Sequence, residues 1–237
     1  MRALKKIIRS FGFDISRYNP ESSEIARLMA MLNEHCINLV LDVGANTGGF
    51  GKLLRDANYQ GRIVSFEPLS SAWDKLLIES RKDSLWEIAP RTALGAEDGE
   101  IDINIAGNSE SSSVLAMLDA HASAAPESCY VDTERTPLHR LDSIIPDYLH
   151  PESVPFLKID AQGYEDRVLM GAKNFLEKTI GLQLELSLTP LYQEQCLYDD
   201  LIQQLKNMGF ELWAISPVFT DHATGRLLQV DATFFRN

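Results

Sequence analysis

A short apolar run that breaks into a glycine-rich turn constrains the fold of this chain more than any other feature. Residues 39–43 read Leu-Val-Leu-Asp-Val, and Gly44, Gly48 and Gly49 follow before apolar residues recur at helical spacing from Phe50 onward. A strand that is apolar throughout is typical of burial on both faces, and glycines in the turn permit positive φ angles and close approach of a ligand to the backbone. The segment predicts a strand, a ligand-binding turn and a helix that begins with free N–H groups.

A second predicted strand, residues 62–66, ends in an acid and adds a candidate ribose ligand to this turn. Glu67 follows Asp42 by 25 residues, which is the length of one strand–helix–strand step. In doubly wound sheets an acid about 20 residues beyond the glycine turn hydrogen-bonds the ribose hydroxyls of an adenosine cofactor. Asn46 stands where the dinucleotide fingerprint has its second glycine, so the turn does not favour the pyrophosphate of NAD. It suits S-adenosylmethionine instead, with Asp42 orienting the loop or attracting the cationic methionine end of the cofactor.

The glycine turn is the first of several short motifs that occur in a fixed order. The four main segments are Asp42–Gly48, Phe66–Pro68, Leu157–Glu165 and Gln183–Ser187, with weaker support from Ala93–Gly95 and Leu141–Asp142. In this order they resemble the FkbM-type S-adenosylmethionine-dependent methyltransferases, over roughly residues 35 to 237. The resemblance implies a class I methyltransferase fold and O-methylation, commonly of a sugar or polyol hydroxyl. It does not identify the acceptor.

The remaining pattern alternates between strands and helices, as in α/β folds. We predict a Rossmann-like, doubly wound and mostly parallel sheet, closed by an antiparallel strand pair formed by residues 211–215 and 228–235. Residues 100–105 read as one added hairpin-like strand, and Asn19-Pro20 as the start of a helix that leads into the first strand. We assign residues 1–34 to an N-terminal helical extension and 35–237 to the methyltransferase domain.

The turn, the second strand and the resemblance together define a candidate cofactor site. Residues 108–128 are rich in Ala and Ser and predict a mobile loop, which is either a lid over the cofactor or simple slack. If the loop closes, Ser112 and Ser113 reach the polar groups of the cofactor. The candidate cofactor-binding residues are Asp42, Gly44, Ala45, Asn46, Gly48, Glu67, Pro68, Ala93, Ser112 and Ser113.

Three acids in the C-terminal half are the candidates for catalysis. Ligands of open α/β sheets bind beyond the carboxyl ends of the strands, where Asp160 ends one strand and Glu185 lies near the end of the next. An acid that closes an apolar run is costly to bury without a partner, which favours chemistry for Asp160, and strand alternation predicts that Lys158 points to the opposite face. Glu165 begins a helix, where capping is favoured over chemistry. We predict that these acids position or deprotonate the acceptor hydroxyl.

Other roles for these and nearby residues remain open. The three acids could hold a divalent metal through oxygen ligands, an alternative that we do not favour, and no metal ligands are assigned. His139 is a second candidate base, although a lone histidine is more often a surface or hydrogen-bonded residue. Tyr192 and Trp213 are candidates for the acceptor pocket, but aromatic residues near sheet ends more often belong to the core.

The net charge limits the classes of acceptor that we expect, and the cysteine spacing indicates the cellular compartment. A formal net charge of −12 and a pI near 4.8 argue against nucleic acid as the acceptor, since phosphate contacts need clustered Lys and Arg. The three cysteines are far apart and lack C-x-x-C spacing, which is typical of a reducing cytoplasm. No apolar run approaches the roughly 18 residues of a membrane span, and the N-terminus lacks the apolar core of a signal peptide. The sequence is compatible with a homo-oligomer.

The N-terminus departs from this acidic background and predicts a basic amphipathic helix. Its basic residues are Arg2, Lys5, Lys6 and Arg9, and its apolar residues are Leu4, Ile7, Ile8 and Phe11. Such a helix packs on its own domain or a partner subunit, which we favour, or contacts an anionic membrane surface.

We therefore expect a cytoplasmic enzyme that transfers a methyl group from S-adenosylmethionine to a hydroxyl of a sugar, glycan or natural product. The first alternative is a non-catalytic S-adenosylmethionine-binding scaffold. The second is an NAD-dependent oxidoreductase, which the residue at position 46 disfavours.

Overall fold

The computed structural model describes residues 2–15 and 17–236. The helices are α1 (Arg2–Ser10), α2 (Glu24–Glu34), α3 (Gly49–Asp56), α4 (Ser70–Ser80), α5 (Asp119–Ala124), α6 (Leu141–Ile144), α7 (Glu165–Met170), α8 (Lys173–Leu176) and α9 (Tyr198–Asn207). The strands are β1 (Leu39–Val43), β2 (Arg62–Phe66), β3 (Trp86–Ile88), β4 (Ala93–Leu94), β5 (Gly99–Ala106), β6 (Tyr130–His139), β7 (Pro155–Ile159), β8 (Gly181–Ser187), β9 (Glu211–Thr220) and β10 (Leu227–Phe235).

The main sheet has seven strands in the order β3-β2-β1-β7-β8-β10-β9. The pairs from β3 to β8 are parallel, whereas β10 runs antiparallel to both β8 and β9. Every residue of β1, β7 and β8 is buried, as the apolar runs of central parallel strands require. The predicted doubly wound, mostly parallel sheet with a C-terminal antiparallel pair is confirmed.

Helices cover both faces of this sheet. On one face the core includes Leu141 of α6, Val168 of α7 and Leu201 of α9. On the other it includes Leu32 of α2 and Leu54 of α3. The second face becomes polar toward the carboxyl ends of β1 and β7, which places polar side chains where a doubly wound fold binds ligands.

A smaller sheet, in the order β4-β6-β5, was not predicted. The alternating strand at residues 100–105 is confirmed within β5, but its antiparallel partner is β6, which sequence reasoning missed. The first half of β6 is mostly exposed and polar, and Pro137 lies near the end of the strand. The strand therefore lacks the apolar alternation of a half-buried strand. Ile103 and Leu138 bury the inner side of this sheet against Leu69 and Ala72 around α4.

The N-terminal helix is confirmed as α1, whereas the predicted start of the second helix is wrong. That helix begins at Glu24, because the side chain of Ser23 accepts a hydrogen bond from the Ala26 amide, and Asn19 instead accepts from the amide of Ser22 in the preceding turn. The side chains of Arg2, Leu4 and Ile7, part of the predicted amphipathic pattern, lie outside the described side chains. Within residues 2–15 and 17–236, no helix is long and apolar enough to cross a bilayer.

Candidate active site

A cavity of about 430 Å³ opens at the carboxyl ends of β1, β2 and β7. It lies where the strand order reverses direction between β1 and β7, which is the usual ligand position in open α/β sheets. Its volume falls in the range of about 300–1,000 Å³ that is typical of small-molecule sites. Residues of the small sheet, including Ile103, line its other side together with Ser109, Glu110 and residues 112–114.

The glycines of the turn meet different structural requirements. Gly44 and Gly48 have φ angles of 76° and 85°. A Cβ atom on Gly44 would overlap the carbonyl oxygen of Asp160, so this glycine lets the turn after β1 pack against the turn after β7. Gly49 lines the cavity, and a Cβ there would meet no described atom within 4 Å. The cavity therefore contacts bare backbone at Gly49, whereas substitution of Gly44 would act on the protein before any ligand.

Glu67 is buried beside this turn and organises it. Its Oε2 accepts a hydrogen bond of 2.7 Å from the Asn46 amide, and its Oε1 accepts one of 2.9 Å from the Leu69 amide. Burial raises the pKa of Glu67 to about 7, although these hydrogen bonds lower it. Each carboxylate oxygen has a second lone pair, and Glu67 lines the cavity, so it can still accept from a ligand hydroxyl.

Three cavity-lining residues other than glycine adopt left-handed backbone conformations. The φ angles are 47° for Asn46, 59° for Ser109 and 51° for Gln162. The Asn46 side-chain amide donates to the Ser109 hydroxyl at 3.3 Å, which joins the glycine turn to the loop after β5. Such conformations cost free energy and cluster at functional sites, which supports this cavity as the site.

The predicted lid segment lies over the cavity, and its serine hydroxyls bind protein groups. Ser112 and Ser113 both line the cavity. The Ser112 hydroxyl donates to the Ser109 carbonyl, and the Ser113 hydroxyl donates to the Gln162 carbonyl at 2.7 Å. The Ser113 hydrogen bond fixes the segment against the turn after β7, and the Ser112 hydrogen bond lies within the segment. Contacts of the two serines with a cofactor stay a prediction.

Lys158 faces the cavity, not the opposite side of the strand. Its Nζ lies 3.2 Å from Asp160 Oδ2 and 3.4 Å from Asp42 Oδ1. The predicted orientation was wrong because residues two apart on a strand share a face. Burial acts to lower the pKa of Lys158, but attraction to Asp160 and Asp42 outweighs it and the pKa is raised. Asp42 is fully buried behind the cavity wall, where it also accepts from the Ser65 hydroxyl, so it orients Lys158.

Gln162 joins two of the predicted catalytic acids. Its side-chain amide donates to Asp160 Oδ1 and to Glu185 Oε2, each at 2.8 Å, and its side-chain carbonyl accepts from the buried Tyr192 hydroxyl at 2.7 Å. Gln229 donates a second hydrogen bond, of 2.6 Å, to Glu185 Oε2. The structure thus brings Asp160 and Glu185 together on the cavity wall.

Glu165 lies beneath the turn and does not line the cavity. Its carboxylate accepts hydrogen bonds from the amides of Ala161 and Gly163, at 2.9 and 3.2 Å. Burial raises its pKa to about 7. The geometry favours the structural interpretation, in which Glu165 holds the turn that carries Asp160 and Gln162.

Asp231 is a cavity-lining acid that sequence reasoning missed. It lies on β10 opposite Glu185, and burial together with repulsion from Asp160 raises its pKa to about 7. The signal in the sequence is the alternation of Gln229, Asp231 and Thr233 within an otherwise apolar strand, which places three polar groups on one face.

The other candidate residues lie away from the cavity wall. His139 forms a hydrogen bond of 2.9 Å with Thr92 through Nδ1, and Trp213 packs on His35 and Phe235. Tyr192 supports Gln162 from below. Among residues 2–15 and 17–236, no group of three or more His, Cys, Asp or Glu side chains is arranged to hold a metal ion.

Comparison with known proteins gives one family and several remote structures. The family model described as the methyltransferase FkbM domain matches residues 42–212. A search of curated proteins found no match. Among solved structures, TehB from Haemophilus influenzae is 10% identical with a TM-score of 0.46, over 89% of this chain and 62% of TehB. The magnesium protoporphyrin IX methyltransferase ChlM from Synechocystis PCC 6803, with bound S-adenosylmethionine, is 9% identical with a TM-score of 0.47, over 90% and 78% of the two chains. An rRNA methylase from Streptococcus thermophilus is 10% identical with a TM-score of 0.46, over 94% and 99%.

Proposed function

The chain belongs to the FkbM methyltransferase family, and on that premise we propose that it transfers a methyl group from S-adenosylmethionine to a hydroxyl oxygen of a sugar or a related polyol. The family match covers more than two-thirds of the chain, and with the sheet order it identifies a class I methyltransferase fold. Methyl transfer therefore follows from the family. The oxygen acceptor and its sugar-like class are the proposal.

The observation that carries the proposal is that one cavity has two chemically different ends. The end formed by β1 and β2 offers the glycine turn and Glu67, and the other end offers Asp160, Glu185 and Asp231. Carboxylates accept hydrogen bonds from hydroxyl groups and can take up the proton that an alcohol loses on methylation. This arrangement suits a neutral, hydroxyl-rich acceptor.

The residues of the first end fit the cofactor. Bare backbone at Gly49 and the first amides of α3 leave room and donors, and Glu67 presents a buried carboxylate for ribose hydroxyls. Pro68, Leu69 and Ala93 add apolar surface for a base. The bound cofactor would supply a methyl group on a positively charged sulfur. The protein then has to align the acceptor oxygen with that methyl, exclude water and accept the hydroxyl proton.

A non-catalytic cofactor-binding scaffold is the alternative, and two measurements decide between the functions. A thermal-shift titration with S-adenosylhomocysteine at about 100 times its dissociation constant should raise the melting temperature by roughly 5 to 10 °C, and NAD should not. Pools of sugars, lipid-linked glycans and polyketides should then be screened for release of S-adenosylhomocysteine. Turnover with a hydroxyl acceptor supports the proposal. Binding without turnover in any pool would support the scaffold, and a product methylated on nitrogen or carbon instead of oxygen would overturn the oxygen acceptor.

A further inference from the structure

The acidic end of the cavity contains a pair of carboxylates that no motif joins. Asp231 lies directly opposite Glu185 in the antiparallel register of β10 and β8, and both residues line the cavity. Cβ atoms of directly opposed residues are about 4.5–5.5 Å apart. Carboxylates this close repel each other, so the pair holds a proton more readily than either acid would alone.

The nearby positive charge, that of Lys158, forms ion pairs with acids outside this pair. Lys158 is the one basic residue among the described residues that line the cavity, and its Nζ lies between Asp160 and Asp42. Glu185 receives neutral amide donors from Gln162 and Gln229 instead of a cation. The pair therefore lacks a dedicated counter-charge in the ligand-free protein.

The groups that face Asp231 set its proton affinity. Burial raises its pKa to about 7, and repulsion from Asp160 on β7 and Glu24 on α2 acts in the same direction. Lys158 and a hydrogen bond with Gln183 on β8 oppose this rise. Asp231 thus exchanges its proton near neutral pH.

The surroundings of Glu185 favour its protonated form as well. Burial raises its pKa well above the ordinary value, and repulsion from Asp160, Glu165 and Asp231 adds to the effect, while Lys158 opposes it. Burial and mutual repulsion therefore raise the pKa of both members of the pair.

We propose that Asp231 and Glu185 form a proton-exchanging pair facing the point of methyl transfer, which releases a proton when a cationic cofactor binds and takes up the acceptor hydroxyl proton during transfer. This inference rests on the proposed function. In the transfer step the pair takes the proton from the acceptor oxygen as that oxygen bonds to the methyl carbon, and the carbon–sulfur bond breaks with its electron pair left on sulfur. One negative charge on the pair and one positive charge on sulfur disappear together. The net charge of the buried site is then unchanged by the reaction.

Calorimetry of the full chain with two ligands tests this pair without an acceptor. S-adenosylmethionine and S-adenosylhomocysteine share the adenosine and amino-acid groups and differ in one methyl group and its positive charge. Titrations near neutral pH in buffers of different ionisation enthalpy give the protons released by each ligand. We expect S-adenosylmethionine to release up to about one proton more, because a nearby cation lowers a carboxyl pKa by about 1 to 3 units. Any proton released by Glu67 on contact with ribose is common to both ligands and cancels in the difference.

Two charge-removing variants locate the effect. In Asp231→Asn and Glu185→Gln the difference in proton release should fall by at least about half, whereas the exposed control Asp74→Asn on α4 should keep the wild-type difference. Equal proton release by the two ligands in the wild type would overturn the proposal. So would an undiminished difference in both folded variants. If neither ligand binds, the cofactor assignment of the proposed function fails, which is a separate result that removes this inference as well.

Discussion

The two ends of the cavity are built in opposite ways. The cofactor end is made from a continuous piece of chain, where the turn after β1 meets Glu67 at the end of the neighbouring β2. The acidic end brings together side chains from the end of β7, from β8 and from β10, and residues 160 and 231 reach the same cavity wall, on either side of Glu185, only through sheet register. The first end can be recognised from local spacing, and the second depends on which strands pair.

The two ends also differ in their charge. At the cofactor end a single buried carboxylate, Glu67, binds two backbone amides and needs no cation. At the acidic end several carboxylates surround Lys158. At the cofactor end the carboxylate holds the backbone of the turn in place, whereas at the acidic end we propose that the carboxyl groups exchange protons. The predictions below test this division of roles.

The largest effect is expected at the acidic end. Asp231→Asn should lower turnover on an acceptor found in the screen by about 10²- to 10⁴-fold, because a general base contributes that range. The affinity for S-adenosylhomocysteine, which lacks the positive charge, should stay within about 2-fold of wild type by calorimetry. A parallel loss of turnover and of S-adenosylhomocysteine affinity would place Asp231 in the cofactor end and break the comparison.

The two glycines of the turn should separate folding from binding. Gly44→Ala should destabilise the protein by about 2 kcal/mol or more, because its Cβ would overlap the Asp160 carbonyl and its φ angle is 76°. Gly49→Ala should fold with wild-type stability, since its Cβ would meet no described atom within 4 Å, and it should lose affinity for S-adenosylhomocysteine if the ligand contacts the cavity-lining backbone of Gly49. Denaturant unfolding and calorimetry distinguish the two. The opposite pattern would mean that Gly44, not Gly49, approaches the ligand.

Replacing the carboxyl group of Glu67 with an amide should lower the affinity for the cofactor without changing proton release at the acidic end. A hydrogen bond to a charged group contributes about 1.5–3 kcal/mol, so Glu67→Gln should weaken S-adenosylhomocysteine binding by roughly 10- to 150-fold. The extra proton released by S-adenosylmethionine should remain. Unchanged affinity in a folded variant would remove Glu67 from the ribose site and leave it only as the organiser of the turn.

The smallest effect expected is a pH dependence of the ligand-free protein. The pKa values of Glu67, Glu165 and Asp231 are raised to about 7 by burial, so the folded protein holds protons that the unfolded chain releases. The stability contributed by these protons is fully present below the unfolded pKa values, about 4 for the aspartate and about 4.5 for the glutamates, and it is lost as pH rises through about 7. The melting temperature should therefore fall by several degrees between about pH 5 and pH 8, and Glu67→Gln should flatten the fall. A melting temperature that rises over this interval would contradict the buried protonated acids.

The sequence predicted the main seven-stranded sheet better than it predicted the three-stranded sheet or the acidic end of the cavity. The strands at residues 39–43, 155–159 and 181–187 are buried at every position and mostly apolar, and burial on both faces leaves a strong local signal. The strand β6 left no such signal, because its first half is mostly exposed and polar. Likewise Lys158 was assigned to the wrong face, although its spacing from Asp160 already places both residues on one side of the strand.

The sequence by itself determined the doubly wound sheet, the glycine turn and the position of Glu67, because these follow from apolar runs and from spacing along a continuous segment. Only the tertiary structure decided which acids share the cavity. Glu165 lies under the turn because its carboxylate accepts hydrogen bonds from the amides of Ala161 and Gly163. Asp231 lies opposite Glu185 because β10 pairs antiparallel with β8. The proton affinity of a carboxyl depends on burial and on the charges around it, and these arise only when distant strands pair.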